Sequence, residues 1–129
     1  MIERLGVLLA VASGGACGAL LRYALSNWVV RKFPMGTLVV NVAGCLLIGL
    51  IVGSLHQREW LSPTSRHFLV MGCLGSLTTF STFGYHCVQM FVDGNLGLAV
   101  LNLFANLCFG FGAVAVGLWL GGCLMPAGH

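Results

Sequence analysis

Four apolar runs leave this chain few folds to choose from. They cover about residues 5–28, 37–55, 68–92 and 96–124, and together they hold a single charged side chain, Arg22. A helix needs roughly 20 apolar residues to cross the hydrocarbon of a bilayer. Within hydrocarbon every backbone N–H and C=O must find its partner inside the segment, so runs of this kind become spanning helices. The rest of the sequence agrees. Six Lys or Arg and three Asp or Glu in 129 residues, with a mean hydropathy of +0.97, cannot cover a water-facing surface, since a soluble domain carries about a quarter of its residues charged. This excludes a soluble enzyme, a DNA-binding domain and a disordered chain. A net charge of +3 is too small and too scattered for a nucleic-acid footprint. The expectation is an all-α membrane protein, one four-span domain over residues 1–129, with no soluble domain appended.

The connections are short and carry local signals. Arg31-Lys32-Phe33-Pro34-Met35-Gly36 is a basic link with a proline breaker. In the polar stretch from His56 to His67, Ser62 followed by Pro63 predicts an N-cap with proline at the first helical position. Asp93-Gly94-Asn95 predicts a tight turn between the last two spans. Trp28 and Trp60 fall at span ends, where indole rings settle at headgroup depth. Ser13-Gly14-Gly15-Ala16-Cys17 loosely matches a lipoprotein cleavage site, but Gly14 stands where leucine is expected and the apolar run continues beyond it. Span one is therefore read as retained. Charge gives little orientation. Arg4, Arg58 and Arg66 would share one side of the membrane, and Arg31 and Lys32, with Arg22 if it snorkels, the other. A chain so nearly balanced suits insertion both ways as well as it suits one orientation fixed by weak signals.

Gly14 and Gly18, Gly49 and Gly53, and Gly117 and Gly121 form small-xxx-small ridges, which let helix backbones approach closely in lipid. They predict a compact bundle and an oligomer. The six cysteines all fall within spans, without a C-x-x-C pair, and read as small apolar packing groups.

Polar groups inside spans are costly and so are functional candidates. No Asp or Glu lies deep in any span, which disfavours proton-coupled transport through a buried carboxylate and acid–base or metal chemistry in the membrane. Arg22 is either a snorkelling anchor or a guanidinium lining an anion vestibule. Thr37 and Asn41 on span two, and Asn102 and Asn106 on span four, are spaced i, i+4 and suggest polar stripes. Span three carries the strongest signal, Gly72-Cys73-Leu74-Gly75-Ser76-Leu77-Thr78-Thr79-Phe80-Ser81-Thr82-Phe83. Five hydroxyl residues within seven positions, after two glycines, make poor continuous helix. A break near mid-membrane would free carbonyls for a small cation and amides for an anion. Phe80 and Phe83, three apart, share a face after such a break. Their ring edges are positive, although paired phenylalanines are more commonly core.

These blocks resemble the small fluoride channels called Fluc or CrcB. The resemblance covers essentially the whole chain. It is carried by Gly14-Gly15-x-x-Gly18-Ala19-x-x-Arg22-Tyr23, by Gly36-Thr37-Leu38-x-Val40-Asn41-x-x-Gly44, and by Gly72-x-x-Gly75-x-x-Thr78-Thr79-Phe80-Ser81-Thr82-Phe83. It implies a dual-topology antiparallel homodimer in the plasma membrane, with two narrow pores that pass fluoride passively. It implies a structural, untransported sodium ion held by the main-chain carbonyls of Gly75 and Thr78 from both copies. Phe80 and Phe83 would offer ring edges to fluoride, Asn41 an amide, Ser81 and Thr82 hydroxyls, and Arg22 would shape the vestibule. Thr37, Asn102 and Asn106 would belong to the polar track. The chain departs from the family where a glutamate is common and His86 stands, and where Tyr and Ser are common on span four and Asn102 and Asn106 stand. Two other readings remain at this level. A small multidrug-type exporter would need a membrane-embedded glutamate in span one, which is absent. A non-transporting scaffold would use the glycine ridges but leave the hydroxyl-rich block without a purpose. No nucleophile–base pair marks an enzyme.

Overall fold

The computed structural model describes residues 2–27, 32–57 and 60–124, and the regular elements among them are all helical. Trp28, Arg31 and Arg58, named above as a span-end anchor and as orientation charges, lie outside the described residues. Four stretches, Arg4–Ser26, Met35–Leu55, Pro63–Val92 and Leu96–Leu124, are long and apolar enough to cross a membrane.

Helix α1 (Ile2–Ser26) stops where the Asn27 side-chain amide donates to the Tyr23 carbonyl at 2.9 Å, satisfying one of the carbonyls that a helix end leaves open. Helix α2 (Met35–Gln57) starts directly after Pro34, whose carbonyl accepts the Leu38 N–H at 3.2 Å. Helix α3 (Pro63–Arg66) is capped by Ser62, whose hydroxyl oxygen accepts the Ser65 N–H at 3.2 Å, with Pro63 at the first position. The serine–proline pair predicts this cap.

A π-helical segment, π1 (His67–Leu74), follows, then a single turn α4 (Gly75–Leu77). Thr78 (ψ 152°) and Thr79 (φ −149°, ψ 116°) are extended, and α5 (Phe80–Val92) resumes the helix. Pro63–Val92 is thus a bent, joined helix whose regularity lapses at two threonines. The turn to α6 (Leu96–Leu124) uses Gly94 at φ +76°, with the Asn95 N–H donating to the Met90 carbonyl at 2.8 Å. A side chain at Gly94 would be strained there.

Glycine sets the packing. A Cβ on Gly49 or Gly53 would strike the Val114 or Leu118 carbonyl, and one on Gly117 or Gly121 the Leu46 or Leu50 carbonyl. This makes the α2–α6 seam the most extensive helix contact. Along α1, Gly14 and Gly18 admit the Phe68 and Cys73 carbonyls. Those carbonyls are five residues apart, one π-turn, and they meet glycines four apart on an α-helix. All three ridges are therefore spent inside the chain, and none supplies a ready surface for a second copy. Among the buried apolar groups are two small clusters, Val40, Leu74 and Leu77 in one, Phe33, Leu38 and Ala105 in the other. Large side chains such as Leu8, Leu20, Phe104 and Phe111 point outward, which lipid permits and water would not.

Candidate functional site

The site is built where α2 crosses the lapse in Pro63–Val92. Gly44 faces Thr78 so closely that a Cβ would overlap the threonine methyl group. This approach lets Asn41, less than a turn earlier on α2, reach the extended backbone. Its Oδ1 accepts the Thr79 N–H at 2.8 Å, and its Nδ2 donates to the Thr79 carbonyl at 3.3 Å. One amide thus meets both polar groups of Thr79, whose N–H has left the helical pattern and whose carbonyl, at the N-cap, already accepts the first bond of α5. The same Nδ2 donates to Asn106 Oδ1 at 2.9 Å, and Asn106 Nδ2 donates to the Asn102 carbonyl and Oδ1, both at 3.0 Å. Asn102 Nδ2 ends the series on Cys87 Sγ at 3.2 Å.

Thr79 also starts α5. Its hydroxyl oxygen accepts the Thr82 N–H at 3.2 Å and lies 3.1 Å from Thr82 Oγ1 and 3.2 Å from Ser81 Oγ. Thr78 Oγ1 bonds back to the Leu74 carbonyl at 3.0 Å. Two helical donors are consequently diverted. The Thr79 N–H, which a continuous helix would aim at Gly75, goes to Asn41. The Thr82 N–H, which it would aim at Thr78, goes to the Thr79 hydroxyl.

Phe80 and Phe83 meet edge to face, with ring centroids 5.6 Å apart and planes at 65°. Phe83 is buried, whereas Phe80 is 81% exposed on the single chain. Both line a cavity of about 340 Å³ together with Asn41, Gly75, Thr78 and Asn106, and none of its lining residues is charged. A second cavity, of about 470 Å³, lies at the far end of α5 and is lined by Lys32, His86, Gln89, Asp93 and Asn95 among others. His86 Nδ1 is 3.5 Å from Thr37 Oγ1.

The structure thus gathers Asn41, Gly75, Thr78, Phe80, Phe83 and Asn106 around one cavity. Ser81 and Thr82 join through Thr79, while Thr37 and Asn102 are wholly buried within the chain. Arg22, half-exposed on α1, does not line this cavity. Thr79, the hub of the arrangement, was not singled out as a site residue. Its signal was the N-cap spacing Thr79-x-x-Thr82. The sequence motif alone gives Gly44 no role, and Cys87, expected to pack as a small apolar group, accepts an amide hydrogen.

Four membrane-capable helices, three of which line an uncharged cavity beside two phenylalanines, describe a small multi-pass membrane protein. The chain belongs to the CrcB-like family: residues 9–118 match the family model described as "CrcB-like protein, Camphor Resistance (CrcB)". It is similar to proteins named "Fluoride-specific ion channel FluC" from three bacteria. With that of Agrobacterium fabrum it shares 44% identity over 115 residues, 86% of this chain and 92% of the relative. With that of Chloroflexus aurantiacus the figures are 41% over 118 residues, 88% and 94%. With that of Azotobacter vinelandii they are 42% over 120 residues, 90% and 97%.

Proposed function

We propose that the chain is a passive fluoride channel of the plasma membrane, acting as an antiparallel homodimer of oppositely inserted copies with two pores. The observation that carries this reading is the Phe80–Phe83 pair on the wall of an uncharged cavity. Fluoride holds its water tightly, so a pore must replace that shell with fixed donors and positive ring edges. Carboxylates would repel it, and none is present in the cavity. Phe80, so exposed on the single chain, would be covered by the second copy, which the near-balanced charge pattern allows to insert the other way.

Around the rings, Ser81 and Thr82 offer hydroxyls. Asn41 offers the amide hydrogen whose present contact, 3.3 Å to the Thr79 carbonyl, is the longer of its two and the one an ion displaces. Arg22 draws anions toward the mouth. Passage needs no coupled proton: the membrane potential drives out fluoride that entered as neutral hydrofluoric acid and dissociated inside.

A structural sodium ion fits the residues at the bend. Sodium takes oxygen ligands, and the carbonyls of Gly75 and Thr78 have both lost their ordinary helical donors to Asn41 and Thr79. Gly75 is exposed, with only the Val70 carbonyl near its missing Cβ. Main-chain oxygens of the two copies would hold the ion between them, where it supplies a fixed positive charge and is not transported.

The test is fluoride efflux from liposomes holding the purified protein, read with a fluoride electrode. Potassium is the internal cation, valinomycin dissipates the voltage, and chloride is the control anion. Fluoride release without chloride release is expected. No release from a folded dimer with sodium present overturns the channel and leaves a non-transporting scaffold.

A further inference from the structure

Each amide in the series Asn41–Asn106–Asn102 has one orientation, because the series meets two groups of fixed sense, the Thr79 N–H and the Asn102 backbone carbonyl. The Thr79 N–H can only donate, so the Asn41 atom facing it at 2.8 Å is the oxygen. The nitrogen of Asn41 is then turned to α6 and requires an acceptor, which is Asn106 Oδ1 at 2.9 Å. That leaves the nitrogen of Asn106 facing Asn102, whose backbone carbonyl at 3.0 Å can only accept. Turning any one amide over puts donor against donor or acceptor against acceptor. Asn102 is 0% exposed and Asn106 9%, so the series is held away from water, where a mismatch costs most.

We propose that Asn106, backed by Asn102, is a positioning residue that fixes the Asn41 amide and, through it, the extended pair Thr78–Thr79. The alternative it opposes is continuation of the helix. Freed from Asn41, the Thr79 N–H would return to the Gly75 carbonyl, the acceptor a regular helix assigns to it. The gap between α4 and α5 would then close, and one of the two carbonyls available to a cation would be taken. The α6 amides thus act on the backbone of the bend through Asn41. Its consequence for sodium rests on the channel reading above, whereas its consequence for Thr79 does not.

The experiment uses the full chain in lipid nanodiscs and compares Asn106→Ala, Asn102→Ala and, as a control, Leu103→Ala on the 40% exposed flank of α6. Amide hydrogen exchange is followed residue by residue by NMR. In Asn106→Ala the Thr79 N–H is expected to exchange about tenfold faster, the equivalent of one lost hydrogen bond, while Val40 and Ala105 keep the parent rate. Asn102→Ala leaves the Asn102 carbonyl in place, so its effect at Thr79 is smaller, roughly twofold to threefold. Leu103→Ala leaves Thr79 unchanged. The sodium concentration for half-maximal fluoride efflux rises in the same order. Parent-like exchange at Thr79 in Asn106→Ala overturns the proposal, as does acceleration of α2, α5 and α6 together, which marks a merely structural residue. If Asn106→Ala does not fold, Asn102→Ala decides alone, and an unchanged Thr79 rate overturns the backing role. A chain that shows the Thr79 effect but passes no fluoride retires the channel and keeps the positioning role.

Discussion

Two stretches of α2 solve opposite problems within a few turns of each other. From Gly49 to Gly53 the helix meets α6, and the carbonyls of one helix rest on the glycines of the other. Both backbones are already paired within their own helices, so removing side chains is enough to bring them together. From Asn41 to Gly44 the same helix meets backbone that has left the helical pattern. There Gly44 again makes room, this time for Thr78, but room is not sufficient. The Thr79 N–H needs a partner, and the Asn41 amide supplies it, with a second contact to the Thr79 carbonyl. In lipid an intact helix asks its neighbour only for space, while an interrupted one also asks for hydrogen bonds. The first contact should set stability and the second should set what the protein does.

The largest effect should come from the second region with almost no cost to the first. Phe80→Ile and Phe83→Ile remove the ring edges, and fluoride efflux is expected to fall to the level of protein-free liposomes. Dimer elution on size exclusion should persist in both. The thermal midpoint of Phe80→Ile should fall less than that of Phe83→Ile, because only Phe83 is buried within its own chain. Unchanged efflux in both variants would remove the ring-edge mechanism and merge the two regions into one scaffold.

Gly117→Val tests the opposite half of the comparison. Its Cβ would meet the Leu46 carbonyl and come within 2.9 Å of the Gly49 Cα, atoms that cannot swing aside. Overpacking of this kind costs about 1–3 kcal/mol. The thermal midpoint in detergent should drop, while the fluoride-over-chloride preference of the folded fraction stays as in the parent. A change of selectivity ahead of any loss of stability would show that the seam and the site are not separate.

Run length alone made the four spans legible, because the bilayer imposes one scale on every chain that crosses it. Ser62-Pro63 and Asp93-Gly94-Asn95 were legible for a local reason: a cap and a positive-φ glycine are decided within four residues. The hydroxyl-rich block coincides with the bend at Thr78–Thr79. The π-helical turns of His67–Leu74 were not legible, because they match the Phe68 and Cys73 carbonyls to Gly14 and Gly18 more than 50 residues away. The asparagine spacings showed that each pair shares a face but not which faces meet. Asn41 and Asn106 are 65 residues apart, and only the fold says that one amide completes the other. The glycine ridges were visible as packing surfaces, yet their partners proved to lie within the chain.

Thr79→Ala sits between the large and small effects. It removes the acceptor for the Thr82 N–H but leaves the backbone contacts to Asn41. Loss of an N-cap costs about 1 kcal/mol, and Thr79→Ser, which keeps the oxygen, should recover most of it. Denaturation of both variants in the same detergent checks the difference. Fluoride efflux in Thr79→Ala should fall but remain measurable, since Phe80 and Phe83 are still present.

The smallest expected effect lies at the end of the seam. Trp60 Nε1 donates to Ser54 Oγ at 3.0 Å, and Ser54 Oγ in turn donates to the Ile51 carbonyl at 2.9 Å. The indole thus ties the chain after α2 back onto the helix beside Gly53 and is half-exposed. Trp60→Phe keeps the ring and loses the donor, which should cost about 1 kcal/mol and leave efflux unchanged. Its use is in combination. Trp60 and Thr79 share no hydrogen-bond partner, so the destabilisations of Trp60→Phe and Thr79→Ala should add to within about 0.5 kcal/mol in the double variant. Additivity would mean that α2 serves seam and site as independent contacts. A coupling well beyond that range would mean that α2 carries strain from one to the other, and that the seam helps to hold the interruption open.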